Sequence, residues 1–283
     1  MPWGHHAIKV NGKVKALGLF LLALALSAAP VCAQRMSAEA ARALVTVHTW
    51  PDHSALRAGP LDTASARQLK PVIDEARVRV EQFFGARFQQ PVNITLVSDR
   101  AAFSAVLKAE WGMPETACWM VATGVADFLV VLSPRVWRQE ACEHDPADSQ
   151  HVRDIITHEL VHAYHGQHHP SRDFDFPAAD EMGWFIEGLA SYASGQLDGP
   201  RLASAQDALA ANALPARLQD AWSGKYRYGV SGSMVRFIDQ RFGRRTLIDL
   251  LPMAGNAAVL ERLHLSESEF LAAWRQSLRA LPP

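Results

Sequence analysis

The sequence predicts an α+β protein, with a mixed-sheet lobe at residues 34–144 and a helical lobe at residues 145–283. Two observations support this prediction. Short β-branched or alternating apolar runs, typical of strands, are concentrated before residue 133. Apolar residues at helical spacing dominate the chain after residue 145. No low-complexity linker separates the lobes, so we treat residues 34–283 as one domain.

The first lobe contains the predicted strands. One is expected at residues 44–48 and another at residues 91–97, and helical spacing predicts helices at residues 65–84 and 101–111. A hairpin is expected to turn near Thr123-Gly124 and continue through Phe128–Leu132. We expect this last strand to form the edge of a cleft that accepts an extended peptide.

The second lobe contains the predicted helices. The first begins at a cap near Asp145 or Ser149, runs through His162 and ends around Gly166. Ser266 and Glu269 form a capping box at the start of the last helix. That last helix is expected at residues 266–280, and the others at residues 179–195, 231–242 and 245–251.

Residues 1–33 have the pattern of a secretory signal peptide. Lysines precede an apolar run at residues 16–29, and small residues lead to a cleavage site after Ala33. A lipid anchor at Cys32 is the alternative, but the residues before it do not resemble a lipobox. The run is shorter than the roughly 20 residues of a membrane span. The sequence therefore predicts a secreted or periplasmic protein without a stable membrane span after cleavage.

Cleavage would leave two cysteines, Cys118 and Cys142. An even number in an oxidising compartment predicts a disulfide between them. The formal net charge is -1, with 28 Lys+Arg and 29 Asp+Glu, so no basic surface for nucleic acid is predicted. Composition carries no information about the oligomeric state.

The segment His158-Glu159-Leu160-Val161-His162 carries the predicted chemistry. Positions four apart lie on one face of a helix, so both imidazoles can reach one metal ion. Glu159 is rotated by about 100° from His158, which lets it contact a water molecule on that ion without being a ligand. This motif also occurs by chance, so a third ligand must come from elsewhere in the chain.

A second segment, Trp-Phe-Ile-Glu-Gly-Leu-Ala-Ser-Tyr at residues 184–192, provides that context. Together the two motifs resemble the gluzincin zinc metallopeptidases, in particular the bacterial peptidase MA-like group. The resemblance covers residues 145–243. It implies a zincin-like fold with the metal helix in a cleft between the lobes. It also implies that Zn²⁺ is held by His158, His162 and Glu187, and that peptide bonds are hydrolysed with Glu159 as general base.

The sequence departs from the thermolysin-like pattern at one position. Those gluzincins carry an aspartate four residues after the third ligand, where it orients a zinc-bound histidine, but here the residue is Ser191. Ser191 itself, Asp154 or Asp180 are the candidates for this role.

Gluzincins often place a tyrosine or histidine donor against the oxyanion. Tyr228 is the candidate here, and Tyr226 and His165 are its substitutes. A tyrosine that only packs at the start of a helix is equally compatible with the sequence.

A metzincin would instead use His168 as the third ligand, ten residues after His158. That arrangement needs a glycine three residues before the ligand, where this chain has His165, and its glycine is Gly166. The sequence therefore favours Glu187.

The predicted function is zinc-dependent hydrolysis of a peptide or protein substrate. The alternative is a catalytically inactive zincin-like protein that binds metal or peptide. Glu159 favours catalysis, because a structural site has no use for a base beside an open coordination position.

Overall fold

The computed structural model describes residues 44–112, 116–171 and 176–281, without the side chains of residues 111 and 176–180. The predicted signal peptide at residues 1–33, with its cleavage site after Ala33, lies outside the described residues.

The described residues contain one five-stranded mixed sheet, ordered β1-β2-β3-β5-β4. β2, β3 and β5 run parallel to one another, and the outer strands β1 and β4 are antiparallel to their neighbours. The predicted α+β class is confirmed. The strands are β1 (Val45–Thr49), β2 (Ala55–Ala58), β3 (Asn93–Val97), β4 (Ala122–Val125) and β5 (Phe128–Leu132).

The predicted hairpin exists, but its predicted turn and edge are both wrong. Thr123 and Gly124 lie within β4, and the chain turns at Ala126 and Asp127, with Ala126 at φ +48°. The predicted edge strand Phe128–Leu132 is paired on both sides, so β4 is the edge. All five of its residues are buried, as expected for a central strand with both faces covered.

Helices make up most of the rest of the chain, and their bounds agree with the predicted helices to within a few residues. β2, α3, α6 and α9 have no counterpart among the predicted elements. The α-helices are α1 (Thr63–Phe84), α2 (Arg100–Trp111), α3 (Trp137–Glu140), α4 (Ser149–His168), α5 (Phe176–Ala193), α6 (Gly199–Ala210), α7 (Arg227–Phe242), α8 (Arg244–Asp249), α9 (Asn256–Leu263) and α10 (Glu267–Arg279).

Helix α4 lies at the junction between the sheet and the helical region. It packs against α1, β4 and β5 on the sheet side and against α5, which in turn packs on α7. One large cluster of buried apolar side chains continues through both regions and includes the fully buried Trp137, Trp184 and Trp274. The capping box of Ser266 and Glu269 is confirmed at the start of α10.

The predicted disulfide between Cys118 and Cys142 is confirmed, with the two Cα atoms 5.3 Å apart. It closes a loop across 24 residues of sequence. A cross-link of this span stabilises a fold by roughly 3 kcal/mol. Among the described residues, no helix combines the length and apolar character that crossing a bilayer requires.

Candidate metal centre

The side chains of His158, His162 and Glu187 meet between α4 and α5. The two histidine Nε2 atoms lie 3.1 Å apart. Glu187 Oε2 lies 3.3 Å from His158 Nε2, and Oε1 lies 3.7 Å from His162 Nε2. Both histidines are only 8% exposed.

The three separations match those of ligands around a single ion. A tetrahedral ion with bonds of about 2.0–2.1 Å holds its ligand atoms about 3.3 Å apart. The observed 3.1, 3.3 and 3.7 Å bracket that value. The cluster can therefore hold a metal ion with three protein ligands.

Local features of two helices position these ligands. Asp148 caps α4 by accepting hydrogen bonds from the backbone N–H groups of Gln150 and His151. Gly188, directly after Glu187, lets α5 approach α7 closely, since a Cβ there would lie 2.5 Å from the carbonyl oxygen of Ser231. Any larger residue would move the helix that carries Glu187.

The charges in the cluster stabilise one another. Burial alone would raise the pKa of the Glu187 carboxyl, but His162 and His158 together lower it far below its usual range. Burial alone would lower the pKa of His162, but the charge of Glu187 raises it. The carboxylate therefore stays ionised and favours a positive charge between the imidazoles.

A hydrogen-bond chain behind His158 fixes the orientation of its ring. His158 Nδ1 lies 2.9 Å from Gln196 Oε1, which also accepts a hydrogen bond from Arg201 Nη1 at 2.6 Å. The same Arg201 nitrogen donates to Ser191 Oγ at 3.2 Å. Because the Gln196 oxygen is an acceptor, His158 carries its proton on Nδ1 and directs the Nε2 lone pair to the cluster.

The structure separates the three residues predicted to orient a histidine. The Ser191 hydroxyl joins the network through Arg201, so three hydrogen bonds in series separate it from His158. Asp154 accepts a hydrogen bond from Gln150 instead. The side chain of Asp180 lies outside the described residues. Gln196 carries no sequence signal for this role, because it lies in the loop after α5, outside both motifs.

Glu159 is held against the edge strand. Its Oε2 atom accepts a hydrogen bond from the backbone N–H of Gly124 at 2.8 Å. Burial raises the pKa of the Glu159 carboxyl and the negative Glu187 adds to this, while His162 and His158 partly offset it. A carboxyl with a raised pKa is a stronger base, as proton transfer near neutral pH requires.

Glycine is the only residue type that fits at position 124, where β4 meets the backbone of Glu159. A Cβ there would lie 2.4 Å from the carbonyl oxygen of Glu159, well inside the van der Waals limit. Strand β4 therefore lies directly against the backbone of helix α4. The Thr-Gly pair that predicts a turn serves this tertiary contact instead.

Tyr228 lines the same cavity as His158 and Glu159, which has a volume of about 460 Å³. Burial raises the pKa of Tyr228 and the charge of Glu187 adds to this, so its hydroxyl stays protonated and able to donate. Its substitutes lie elsewhere. Tyr226 lines a different cavity, and the buried His165 lies with Nε2 3.1 Å from the carbonyl oxygen of Leu251.

His168, the metzincin-type alternative, lies away from the cluster. Its Nδ1 atom is 2.8 Å from the carbonyl oxygen of Tyr164, and its ring stacks on the Tyr164 ring at a centroid distance of 4.4 Å. The three-residue cluster contains Glu187 instead.

The rim of the cavity is a cross-linked loop. Cys118 is bonded to Cys142, and Arg100 donates to the carbonyl oxygens of Cys118 and Glu140 at 3.0 and 2.9 Å. His144 Nε2 lies 2.7 Å from the carbonyl oxygen of Trp119. These contacts anchor the loop that faces helix α4 across the cavity.

The geometry stands without support from related sequences. No family model matches the chain, and no curated protein matches it.

Proposed function

We propose that this protein is a zinc-dependent peptidase of the gluzincin type, with His158, His162 and Glu187 as metal ligands and Glu159 as general base. The observation that carries the proposal is the meeting of two imidazoles and one carboxylate at ligand-to-ligand distances. The base lies one residue from the first ligand and lines the same cavity.

Zinc is the metal that best suits this donor set. Two imidazole nitrogens and one carboxylate oxygen form the protein half of a catalytic zinc site, which leaves a fourth position for water or substrate. Because only one of the three ligands is negatively charged, a divalent ion bound there would keep a net positive charge. When bound there, Zn²⁺ would polarise a peptide carbonyl and lower the pKa of a water molecule to about 7.

The chain's own residues account for the proton transfers. Glu159 accepts the proton of the attacking water and returns it to the departing amine. The N–H of Gly124 holds this carboxylate in place between those steps. Tyr228, whose hydroxyl stays protonated, donates a hydrogen bond to the developing oxyanion.

The edge strand supports a peptide as the substrate. Among the described residues β4 pairs only with β5, and the N–H of Gly124 donates to Glu159 rather than to β5. The unpaired side of β4 therefore faces the base. An extended peptide can add to such an edge by backbone hydrogen bonds. A zincin-like arrangement, with α4 lining the cleft beside this strand, is part of the proposal.

We also propose that the protein works outside the cytoplasm, after cleavage of a signal peptide behind Ala33. The disulfide between Cys118 and Cys142 supports this location. Disulfides persist in oxidising compartments and are rare in the cytosol.

The test compares wild type with Glu159→Gln, loaded with zinc and incubated with a diverse peptide library. We expect both proteins to hold about one zinc per chain by elemental analysis. Loss of the base should slow cleavage by about a hundredfold to ten-thousandfold, as measured by mass spectrometry. Glu75→Gln is the matched control, because this carboxylate lies on α1 and pairs with Arg153 at the surface.

Each alternative has its own result. Absence of zinc uptake by wild type contradicts the metal centre. Full activity of Glu159→Gln contradicts the assignment of the base. Zinc uptake without cleavage of any peptide by wild type favours the inactive metal- or peptide-binding protein.

A further inference from the structure

Two guanidinium groups lie against the ring of Tyr228 in the wall of the cavity. The Cζ atom of Arg201 is 4.6 Å from the ring centroid, and that of Arg227 is 5.3 Å from it. Both arginines line the cavity together with His158 and Glu159. Two positive charges therefore converge beside the candidate metal centre.

Neither guanidinium has a carboxylate partner among the described residues. Arg201 uses Nη1 for Ser191 and Gln196, and within the described chain its Nε and Nη2 atoms donate to no protein acceptor. Arg227 contacts the rings of Trp222 and Tyr228, at 5.4 and 5.3 Å. Glu159, a carboxylate of the same cavity, accepts from Gly124 instead.

Two other arginines of this chain that are withdrawn from water are paired with carboxylates. Arg77 pairs with Asp52, and Arg244 pairs with Asp239 at 2.6 Å. A guanidinium withdrawn from water without a directly paired carboxylate costs free energy, which an anionic ligand can recover. The planar fork of an arginine matches a carboxylate, to which it can donate two parallel hydrogen bonds.

We propose that Arg201 and Arg227 form a subsite that binds a carboxylate of the peptide substrate next to the scissile bond. The carboxylate is either the free C-terminus of the peptide or the side chain of an aspartate or glutamate. The subsite specifies the substrate class of the proposed peptidase and rests on that function for its role in cleavage. Binding itself is independent of turnover.

The first experiment measures binding without cleavage. Zinc-loaded Glu159→Gln protein is immobilised and exposed to four pools of N-acetylated pentapeptides with otherwise uncharged side chains. The first two pools end in a free acid or in an amide. The other two are amidated and carry a fixed central Glu or Gln. We expect about tenfold greater retention of an acidic pool than of its neutral partner, measured by mass spectrometry.

The pools also identify the source of the carboxylate. Preference for the free acid alone indicates recognition of the C-terminus, and preference for the Glu pool indicates a side chain. Equal retention of acidic and neutral pools overturns the subsite. This comparison needs no arginine variant, so it stands even if such a variant fails to fold.

A variant separates the arginines from the metal, which also attracts carboxylates. Arg227→Gln, in the Glu159→Gln background, should abolish the preference, so that the ratio of acidic to neutral retention falls to about one. Zinc content and melting temperature should stay unchanged. Arg241→Gln is the matched control, because it removes an exposed arginine from the same helix. An undiminished preference in folded Arg227→Gln overturns the proposal.

Cleavage of the same pools by wild type distinguishes a failure of the subsite from a failure of the proposed peptidase. Cleavage of acidic and neutral peptides at equal rates refutes the subsite and leaves the peptidase in place. Selective retention of acidic peptides without any cleavage refutes the peptidase and leaves the subsite in place.

Discussion

Helix α4 contributes to two histidine pairs, and three of their four members, His144, His151 and His158, line the same cavity. His158 and His162, near the middle of the helix, have Nε2 atoms 3.1 Å apart. His151, near its start, lies with Nε2 2.7 Å from Nδ1 of His144. The first pair meets the carboxylate of Glu187, whereas the hydrogen bond of the second pair within the described residues goes to a backbone carbonyl, that of Trp119.

The group beside each histidine pair, a carboxylate in one case and a backbone carbonyl in the other, gives the two pairs opposite electrostatics. Burial lowers the pKa of His144, the carbonyl of Trp119 opposes this only in part, and a proton on His151 would lower it further. The charge of Glu187 overcomes burial and raises the pKa of His162. A close pair of imidazoles is therefore insufficient for a cation site, since the anion beside it determines whether positive charge is favourable.

The largest effect should come from removing that anion. Glu187→Ala is expected to weaken zinc binding by roughly a hundredfold to a thousandfold, because zinc-site free energies of 10–16 kcal/mol are shared among few ligands. His144→Ala should change the affinity less than about threefold. Competition with a chromophoric chelator measures both. A loss in His144→Ala as large as that in Glu187→Ala would place the metal at the rim instead.

A smaller effect should follow from removing the hydrogen bond that orients His158 in the first pair. Gln196→Leu removes the acceptor that orients His158 and should lower zinc affinity by about tenfold to a hundredfold. Gln150→Leu, which removes an amide at the exposed start of α4, is the control. Cobalt substitution adds a second readout, because a reoriented imidazole alters the visible absorption. Identical affinity and spectrum in Gln196→Leu would show that the hydrogen bond does not position the ring.

The smallest effect concerns His165, a buried histidine of α4. Burial, and then the neighbouring histidines, hold its pKa well below the usual value. The unfolded chain therefore gains a proton below about pH 6.5 that the folded chain does not, so stability falls as the pH falls. The slope from this residue is up to about 1.4 kcal/mol per pH unit.

Urea unfolding with a chelator present, at pH 7.5, 6.5 and 5.5, measures that slope. His165→Gln should flatten it relative to wild type. His264→Asn, a change at an exposed position, should leave it unchanged. Parallel curves for wild type and His165→Gln would contradict the buried neutral state.

Local patterns predicted most of the fold, and contacts distant in sequence explain the errors. Helices such as α1 and α10 follow from apolar spacing and caps within one segment. Strand β2 has four residues and forms only by pairing with β1 and β3, so the segment Ala55–Ala58 contains little local signal. The sequence predicts a turn near Thr123-Gly124, but in the structure Gly124 allows β4 to contact α4.

The candidate site divides in the same way. The spacing of His158 and His162 is a property of one helix turn, so the sequence alone predicts that they face together. Glu187 came from the resemblance of a second motif, and the structure brings it to the pair. Gln196 and Arg201 are joined to His158 by a contact across 38 residues of sequence, and no pattern within their own segments marks them.

The contact of Gly124 with helix α4 has a consequence for which peptide bond would be cut. In the proposed peptidase the base is hydrogen-bonded to the same strand that a substrate would extend. The register of the backbone hydrogen bonds between substrate and strand would therefore determine which bond lies at the base. Sliding the substrate by one residue would carry its chain about 3.3 Å past Glu159 and turn each side chain to the opposite face. Selection of the cleaved bond would then depend on alignment along β4 as much as on the strength of binding.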